Sequence, residues 1–319
     1  MPISDLGSTL IIANPASRSG TGAAGAEVVR RFFETCTSVT TSFKLRLTGA
    51  TGDADTIAAG AAGRDTVVVV GGDGVIHEAV NGLMRIDAPL RPRLAVVPLG
   101  SGNDYARTLG LTPNDPERAL DELLRGRERS FDLGFVTSDA CPEGSYFTES
   151  LSFGLDAAVA LDTTTRRAAG ARQRGSGLFL TSGIKLAARA SRGYPCTVRL
   201  DDEESLRLTS LIFAVLNGPT YGGGFRICPE ADPCDGQLDV CYNVRHPRMP
   251  HLMFLLGLAR FGHHTRSPLI RLRRLRTVRI EFAEAPPCQV DGEELLGSRF
   301  SVRVVPSALR VVVSASCRW

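Results

Sequence analysis

The run Thr66-Val67-Val68-Val69-Val70 leads directly into Gly71-Gly72-Asp73-Gly74, and Val75-Ile76-His77-Glu78-Ala79-Val80 continues with helical spacing. An uninterrupted valine run fits a strand covered on both sides, as in a parallel sheet flanked by helices. Three glycines at its end, followed at once by a helix, bring backbone N–H groups and the positive helix end to one spot, which is an anion site. Glycine lets a phosphate approach the backbone, and Asp73 is then placed to face a phosphate-bound Mg²⁺. A tight βα turn with a capping aspartate is the competing structural reading.

A second loop of the same build follows Leu94-Ala95-Val96-Val97, namely Pro98-Leu99-Gly100-Ser101-Gly102-Asn103-Asp104, and a third, Asn14-Pro15-Ala16-Ser17-Arg18-Ser19-Gly20, follows Leu10-Ile11-Ile12-Ala13. Glycine-rich loops at the carboxyl ends of several strands of one parallel sheet predict a crevice for a nucleotide. Ser101 and Asn103 offer side-chain hydrogen bonds there, whereas Asn103-Asp104 serves equally as the cap of the next helix. Around these loops strands are expected at Thr9–Ala13, Val39–Leu47, Thr66–Val70 and Leu94–Val97, with helices near Gly22–Cys36, Asp53–Ala62, after Gly74, near Asn103–Leu109 and near Pro116–Arg125. That alternation predicts an α/β domain with a mostly parallel sheet over residues 1–131. From there strand-like stretches dominate: Ser130–Thr137, Tyr146–Ser152, Cys196–Leu200, Ser210–Leu216, Leu238–Tyr242, Thr277–Phe282, Phe300–Val305 and Arg310–Ser314. Residues 132–319 are therefore read as a β-rich antiparallel second domain, interrupted by helical patterns at Gly177–Ala190 and Pro250–Arg260, with the last residues free to return to the first domain.

The 319 residues suit two domains, and 43% hydrophobic with 22% charged residues is ordinary for a globular enzyme. The longest apolar run, Leu252 to Ala259, is too short to span a bilayer, and the N-terminus lacks a basic signal-like region, so a cytoplasmic location is expected. The eight cysteines form no C-x-x-C pair and are read as reduced core residues, and the histidines suggest no zinc site. The net charge of +3 conceals two cationic segments, 163–192 and 260–280, each with seven basic and no acidic residues, on an otherwise acidic chain. Such segments suit anionic lipid, nucleotide phosphates or plain solvated faces, while aromatic residues at 6% and the absence of a recognition motif speak against nucleic acid.

Asn14-Pro15-x-Ser17, Gly71-Gly72-Asp73-Gly74 and Pro98-Leu99-Gly100-Ser101-Gly102-Asn103-Asp104, in this order and spacing, resemble the catalytic region of diacylglycerol kinases and related lipid kinases, including the soluble bacterial ones and sphingosine kinases. The resemblance continues through Gly154-Leu155-Asp156-Ala157, through the stretch from Asn217 to Val240 and through Asp291-Gly292-Glu293. It implies an ATP- and Mg²⁺-dependent kinase acting on a lipid hydroxyl, foremost diacylglycerol. Sphingoid-base kinase, NAD kinase and a catalytically silent binding relative remain as alternatives. Two departures stand out: Val75 replaces a common Thr or Ser, and Arg18-Ser19 is inserted before Gly20.

Carried over by the resemblance, ATP lies between the domains against Asn14, Ser17, Thr48, Gly71, Gly72, Asp73, Gly74, Val75, His77, Gly100, Ser101 and Asn103. Glu293 is the implied proton acceptor, with Asp73 at the catalytic Mg²⁺ or as a second choice of base. Asp-Gly is also a hairpin signal, which would leave Glu293 as a solvent-facing tip. Asp235 by its side chain, with Asp232 and Gln237 by their carbonyls, is implied to hold a structural Mg²⁺, although the same segment reads as a β-turn with an Asx cap. Asp156 and Asp104 are the candidate substrate contacts, with a helix-capping role equally open for Asp156. The helical stretch Gly177–Ala190 and the basic segment Arg260–Arg279 are candidates for peripheral docking on the inner face of the membrane. The expected partners are thus ATP and a membrane lipid, with no nucleic acid and a homodimer left open.

Overall fold

A computed structural model describes residues 5–36, 39–168 and 192–319. The chain divides into two compact units, one comprising Met1–Phe131 with Ser307–Trp319 and the other Asp132–Pro306. The segment Gly177–Ala190 lies outside the described residues.

The first unit holds β1 (Ser8–Ala13), α1 (Ser17–Gly20), α2 (Gly22–Thr35), β2 (Ser42–Leu47), α3 (Asp53–Ala59), β3 (Thr66–Gly71), α4 (Asp73–Met84), β4 (Arg93–Pro98), α5 (Asp104–Thr108) and α6 (Pro116–Leu124). Four strands run parallel in the order β2-β1-β3-β4, and Val311 near the C-terminus pairs in parallel with Leu94 of β4. Every residue of β3 is buried, as its valine run requires. The order has one reversal point, between β1 and β3, where successive connections leave in opposite directions. In such sheets ligands bind outside the carboxyl ends of the strands at that point, which is where the three glycine-rich loops emerge.

β5 (Arg127–Ser138) leads into the second unit, which holds β6 (Ser145–Phe147), β7 (Ser150–Gly154), α7 (Leu155–Ala168), β8 (Tyr194–Leu200), β9 (Leu206–Ser210), β10 (Ile212–Leu216), β11 (Leu238–Asn243), α8 (Met249–Ala259), β12 (Ile270–Leu275), β13 (Thr277–Phe282), β14 (Cys288–Val290) and β15 (Glu293–Glu294). β16 (Arg299–Val313) then carries the chain back. One antiparallel sheet has the order β12-β11-β10-β7-β14-β15, and a second antiparallel set pairs β16, β13, β8 and β9. Phe153, Phe213 and Val240 of the former and Val198, Ile280 and Phe300 of the latter share one core, so the unit is a β-sandwich. β8 and β13 alternate buried and exposed residues, whereas β10 and β11 are covered on both faces. The covering elements are α7 and α8, whose Leu155, Val159, Leu252 and Leu255 pack with Ala214, Leu216 and Cys241 in a second core.

Several elements differ from the sequence reading. α7 was not among the expected helical stretches, although a capping role was open for Asp156: Gly154, at φ 91°, ends β7, and the helix starts at Leu155 with Asp156 in its first turn. The basic segment Arg260–Arg279 is largely strand, with β12 paired antiparallel to β11 and β13 to β16. Arg273 pairs with Glu203, and Arg274 lies 3.2 Å from Asp239, so part of its charge is already matched. The two expected C-terminal strands are one fifteen-residue strand. All eight cysteines are free thiols, but Cys234 is exposed rather than in the core.

Candidate functional site

In the first unit backbone hydrogen bonds tie the strand ends together: Asn14 N–H donates to the Val70 carbonyl (3.0 Å), Thr48 N–H to Ala13 (2.9 Å) and Leu99 N–H to Gly71 (2.7 Å). The candidate residues Asn14, Thr48, Gly71 and Leu99's neighbour Gly100 are thereby held at one edge of the sheet. Beyond Gly71 and Leu99 the two glycine loops meet. A Cβ on Gly100 would lie 2.6 Å from the Gly72 Cα, and one on Gly72 would lie 3.1 Å from the Gly100 Cα. Backbone opposes backbone at this point, so no side chain fits on Gly100 without moving the chain. α4 starts here with extended Gly72 as its N-cap, a residue with no side chain to close over the first turn. The positive end of the helix dipole therefore lies at this junction, where an anion is favoured.

Two carboxylates flank the junction. Asp73 Oδ2 and Asp104 Oδ2 lie 2.6 and 3.5 Å from where a Gly102 side chain would begin, making them close neighbours across that glycine. Arg107 Nη1 reaches Asp104 Oδ1 at 3.1 Å and also donates to the Gly102 carbonyl. Asn103 is the N-cap of α5 in the left-handed region, which asparagine tolerates, and its Nδ2 donates to the Gly100 carbonyl at 2.8 Å. Its cap position agrees with the structural reading of Asn103-Asp104, but its side chain bonds back to the glycine loop rather than forward to the helix. Ser101 is half-buried in the same loop.

Around the first loop, Asn14 Oδ1 accepts the Ala16 N–H at 2.9 Å and the Asn14 carbonyl accepts the Ser17 N–H at 3.2 Å. Ser17 is buried, with its Oγ 3.4 Å from where a Gly71 side chain would begin, so it belongs to the junction. The inserted Arg18-Ser19 is absorbed in α1, with Arg18 at φ 52° and Gly20 at φ 93°. Val75 is half-buried in the first turn of α4, and buried His77 sits one turn in, near Asn81 Nδ2 (3.4 Å from Nε2). Thr48 is buried beside the turn in which Asp53 Oδ2 accepts the Gly49 and Ala50 N–H groups at 2.7 and 2.9 Å. Those bonds hold the Asp53 carboxyl below its ordinary range.

The second unit carries three further constellations. The Asp291-Gly292 turn joins β14 and β15 with both residues at positive φ, as two-residue hairpins require. Asp291 is a clamp: its carboxylate accepts the N–H groups of Thr148 (2.7 Å), Glu149 (3.0 Å) and Ser150 (2.9 Å) and the Thr148 hydroxyl (3.0 Å). Gln289 Oε1 accepts the Gly292 N–H at 2.7 Å while its Nε2 donates to Ser152 Oγ at 2.9 Å. Glu293 follows this fixed turn as an exposed residue of β15. Sequence reasoning named Glu293 and its turn but not the partners of that turn, Thr148 to Ser150 and Ser152. Those partners lie some 140 positions away, where spacing carries no signal.

Asp232, Asp235 and Gln237 share one loop. Asp232 Oδ1 accepts the Cys234 N–H and Asp235 Oδ1 the Gln237 N–H, both at 2.9 Å, so the Asx-turn reading describes both side chains. Asp132, unnoticed in the sequence, anchors the loop, donating its N–H to the Pro233 carbonyl (2.7 Å) and accepting the Gly236 N–H on Oδ2 (2.6 Å). A buried aspartate inside the apolar strand Phe131–Phe135 was the available signal. Among the described residues no group of three carboxylate, histidine or cysteine side chains forms a metal cluster. The loop offers the Asp232 and Asp235 carboxylates and its backbone carbonyls, hard oxygens of the kind Mg²⁺ takes. Burial, with Asp232 nearby, raises the Asp235 carboxyl, a cost that a bound cation would relieve.

The third is an enclosed cavity of about 50 Å³ beneath α8, walled by apolar side chains including Leu155, Leu252 and Leu255, with Asp156, Tyr221 and His264 as its polar groups. Asp156 lies in the first turn of α7 and accepts the Tyr221 hydroxyl on Oδ2 at 2.9 Å. Burial pushes its carboxyl up to about 7, and burial pushes His264 down to about 4.

Residues 8–136 match the diacylglycerol kinase catalytic domain and residues 149–313 match the YegS C-terminal NAD kinase beta sandwich-like domain. A diacylglycerol kinase of Mycobacterium tuberculosis is 32% identical over 259 residues, covering 80% of this chain and 79% of that protein. The chain belongs to the diacylglycerol kinase family of lipid kinases. A Chromohalobacter salexigens protein named as a YegS-like lipid kinase is likewise 32% identical over 267 residues, covering 83% of this chain and 82% of its own. The crystal structure of a diacylglycerol kinase from Bacillus anthracis shares the fold with a TM-score of 0.77 at 20% identity, covering 98% of both chains. This family membership makes the chain a lipid kinase with a kinase-like α/β unit and a β-sandwich unit.

Proposed function

We propose that this lipid kinase transfers the γ-phosphate of ATP to the free hydroxyl of diacylglycerol, giving phosphatidic acid, with Mg²⁺ as cofactor. The observation that carries the reading is the close approach of the Gly72 and Gly100 backbones, which brings two glycine loops together beside the positive end of α4, where a phosphate is favoured. Asn14, Ser17, Thr48, Gly71 to Val75, His77, Gly100, Ser101 and Asn103 form the nucleotide site in this proposal. Val75 supplies no hydroxyl, so phosphate contacts fall to backbone N–H groups, and Arg107 beside Asp104 adds a cation.

Asp73 and Asp104, adjacent across Gly102, suit a phosphate-bound Mg²⁺ and the acceptor hydroxyl. Bound there, Mg²⁺ would neutralise charge on the transferring phosphoryl group. Glu293 takes the hydroxyl proton from its exposed position on β15. Asp235, with the carbonyls of Asp232 and Gln237, is the proposed structural Mg²⁺ site. The apolar cavity with Asp156 at its wall is the proposed start of the lipid site. That buried carboxyl also favours a second reading, a sphingoid-base kinase, because an amine would re-ionise it as a partner.

The test is transfer of labelled phosphate from Mg-ATP to diacylglycerol, monoacylglycerol, sphingosine and ceramide in mixed micelles, and to NAD. Labelled phosphatidic acid, lost in Glu293→Gln and Asp73→Asn, is the expected result. Label in sphingosine alone would replace the substrate, and label in NAD alone would overturn the reading.

A further inference from the structure

Among the described residues no helix is long and apolar enough to cross a membrane, so a lipid substrate must be met at a surface. α8 has the composition for such a surface. Its sequence, MPHLMFLLGLA, is apolar all round, a pattern that belongs to a helix buried on every side or facing lipid. One stripe, Leu252, Leu255 and Ala259 at i, i+3 and i+7, is buried against the sheet and the cavity. Phe254 and half-buried Leu258 lie on the other side of the helix, and Phe261 sits in the turn just past its C-cap, Arg260. Phe254 is 62% and Phe261 66% exposed, and Val244 just before the helix is exposed too. Two exposed phenylalanines within eight residues, one on the helix and one just past it, are costly in water and call for an occupant.

Charge identifies the occupant. Between Asp239 and Glu281 the chain has nine arginines and no carboxylate. Arg273 and Arg274 are matched by Glu203 and Asp239 in the sheet, and Arg260 donates to the Gly224 carbonyl. Arg245, Arg248 and Arg266, at the two ends of the helix region, are exposed. Aromatic residues outward with cations at the flanks match the interface of an anionic bilayer, where rings enter the acyl boundary and guanidinium groups meet headgroups. We infer that α8 with Phe261 is an insertion element that seats the second unit on an anionic lipid surface, Phe254 and Phe261 entering the bilayer and Arg245, Arg248 and Arg266 binding its headgroups. The surface is centred on α8 rather than on the basic strands that follow it. Because the buried stripe of the same helix roofs the apolar cavity, insertion places that cavity's cover in the lipid phase.

This inference rests on the lipid kinase reading, and its test separates the two. The full chain is floated with vesicles of phosphatidylglycerol and phosphatidylcholine, or of phosphatidylcholine alone, at low and high salt. Two variants are compared with it, Phe254→Ser with Phe261→Ser, and Arg245→Gln with Arg248→Gln and Arg266→Gln. The wild type is expected to bind the anionic vesicles and be released by salt. Each variant should bind at least tenfold more weakly while melting as the wild type does and retaining activity on a short-chain diacylglycerol below its micelle concentration. Unchanged vesicle binding by both variants would overturn the inference. So would a wild type that binds no vesicles but forms a dimer that the phenylalanine variant dissociates, since the face would then be an interface between copies. Vesicle binding lost in the variants with no lipid phosphorylated by any protein would leave the surface standing and remove the kinase reading.

Discussion

Replacing Asp156 by Asn should change how stability depends on pH. The Asp156 carboxyl is buried in the cavity wall and raised from 3.8 to about 7, with burial as the first cause and the Tyr221 hydroxyl opposing it. A carboxyl raised in the folded state favours folding fully below its unfolded value. Its contribution is lost as pH rises from about 4 through about 7, because the unfolded chain releases the proton first. Three units at about 1.4 kcal/mol each give a cost of about 4 kcal/mol once pH exceeds 7. About a third of it is already present at pH 5, so about 3 kcal/mol separates pH 5 from pH 8. Asn keeps an oxygen for the Tyr221 hydroxyl and has no proton to lose. Urea unfolding of both proteins at pH 5, 6, 7 and 8 is the assay, and the difference between the two midpoints is the readout, so other titrating groups cancel. Any packing difference shifts the variant by a pH-independent amount, whereas the predicted term grows with pH in favour of Asn. Curves for wild type and Asp156→Asn that stay parallel from pH 5 to pH 8 would show that the carboxyl is already ionised at pH 5 in the folded state, refuting the reasoning.

Three further outcomes are expected. Gly100→Ala forces a Cβ within 2.6 Å of the Gly72 Cα, so it should destabilise the first unit by about 1–3 kcal/mol and abolish ATP binding; unchanged calorimetric affinity for ATP would contradict the junction. Glu293→Gln should lower kcat while leaving the melting temperature alone, since Glu293 is exposed, whereas Asp291→Ala removes four hydrogen bonds to a carboxylate and should lower both, with a stability loss of at least about 2 kcal/mol by urea unfolding. Mg²⁺ at a concentration a hundredfold above its Kd should stabilise the wild type by about 3 kcal/mol, and chelation should reverse this; Asp235→Asn should show neither response in thermal scans.

Much of the first unit was legible in the sequence because its signals are local. A valine run reads as a buried strand wherever it occurs, and glycines between that strand and a helix can only make a turn with exposed N–H groups. The loops at Asn14, Gly71 and Gly100 were therefore found one at a time. The second unit was less legible. α7 was hidden behind Gly154, β12 behind its arginines, and the single strand β16 behind Pro306-Ser307, which interrupts the apolar alternation without ending the pairing. Asp132 escaped notice, and Asp291 was read only as part of its turn, because their partners are the N–H groups of Gly236 and of Thr148 to Ser150, and no short-range pattern records such pairings.

By itself the sequence determined which chemistry the chain can perform: glycine-rich strand ends for phosphate, carboxylates beside them, and a turn that presents Glu293. Tertiary structure decided which of these meet. The order β2-β1-β3-β4 sets β3 beside β4, so that Gly72 touches Gly100 and Asp73 neighbours Asp104 across Gly102. Packing against the sheet decided which side of α8 is buried and left Phe254, with Phe261 in the turn beyond the helix, in solvent. The physical reason is range: backbone conformation and residue chemistry are set within a few positions, whereas burial and the approach of two loops depend on strand order and long-range packing.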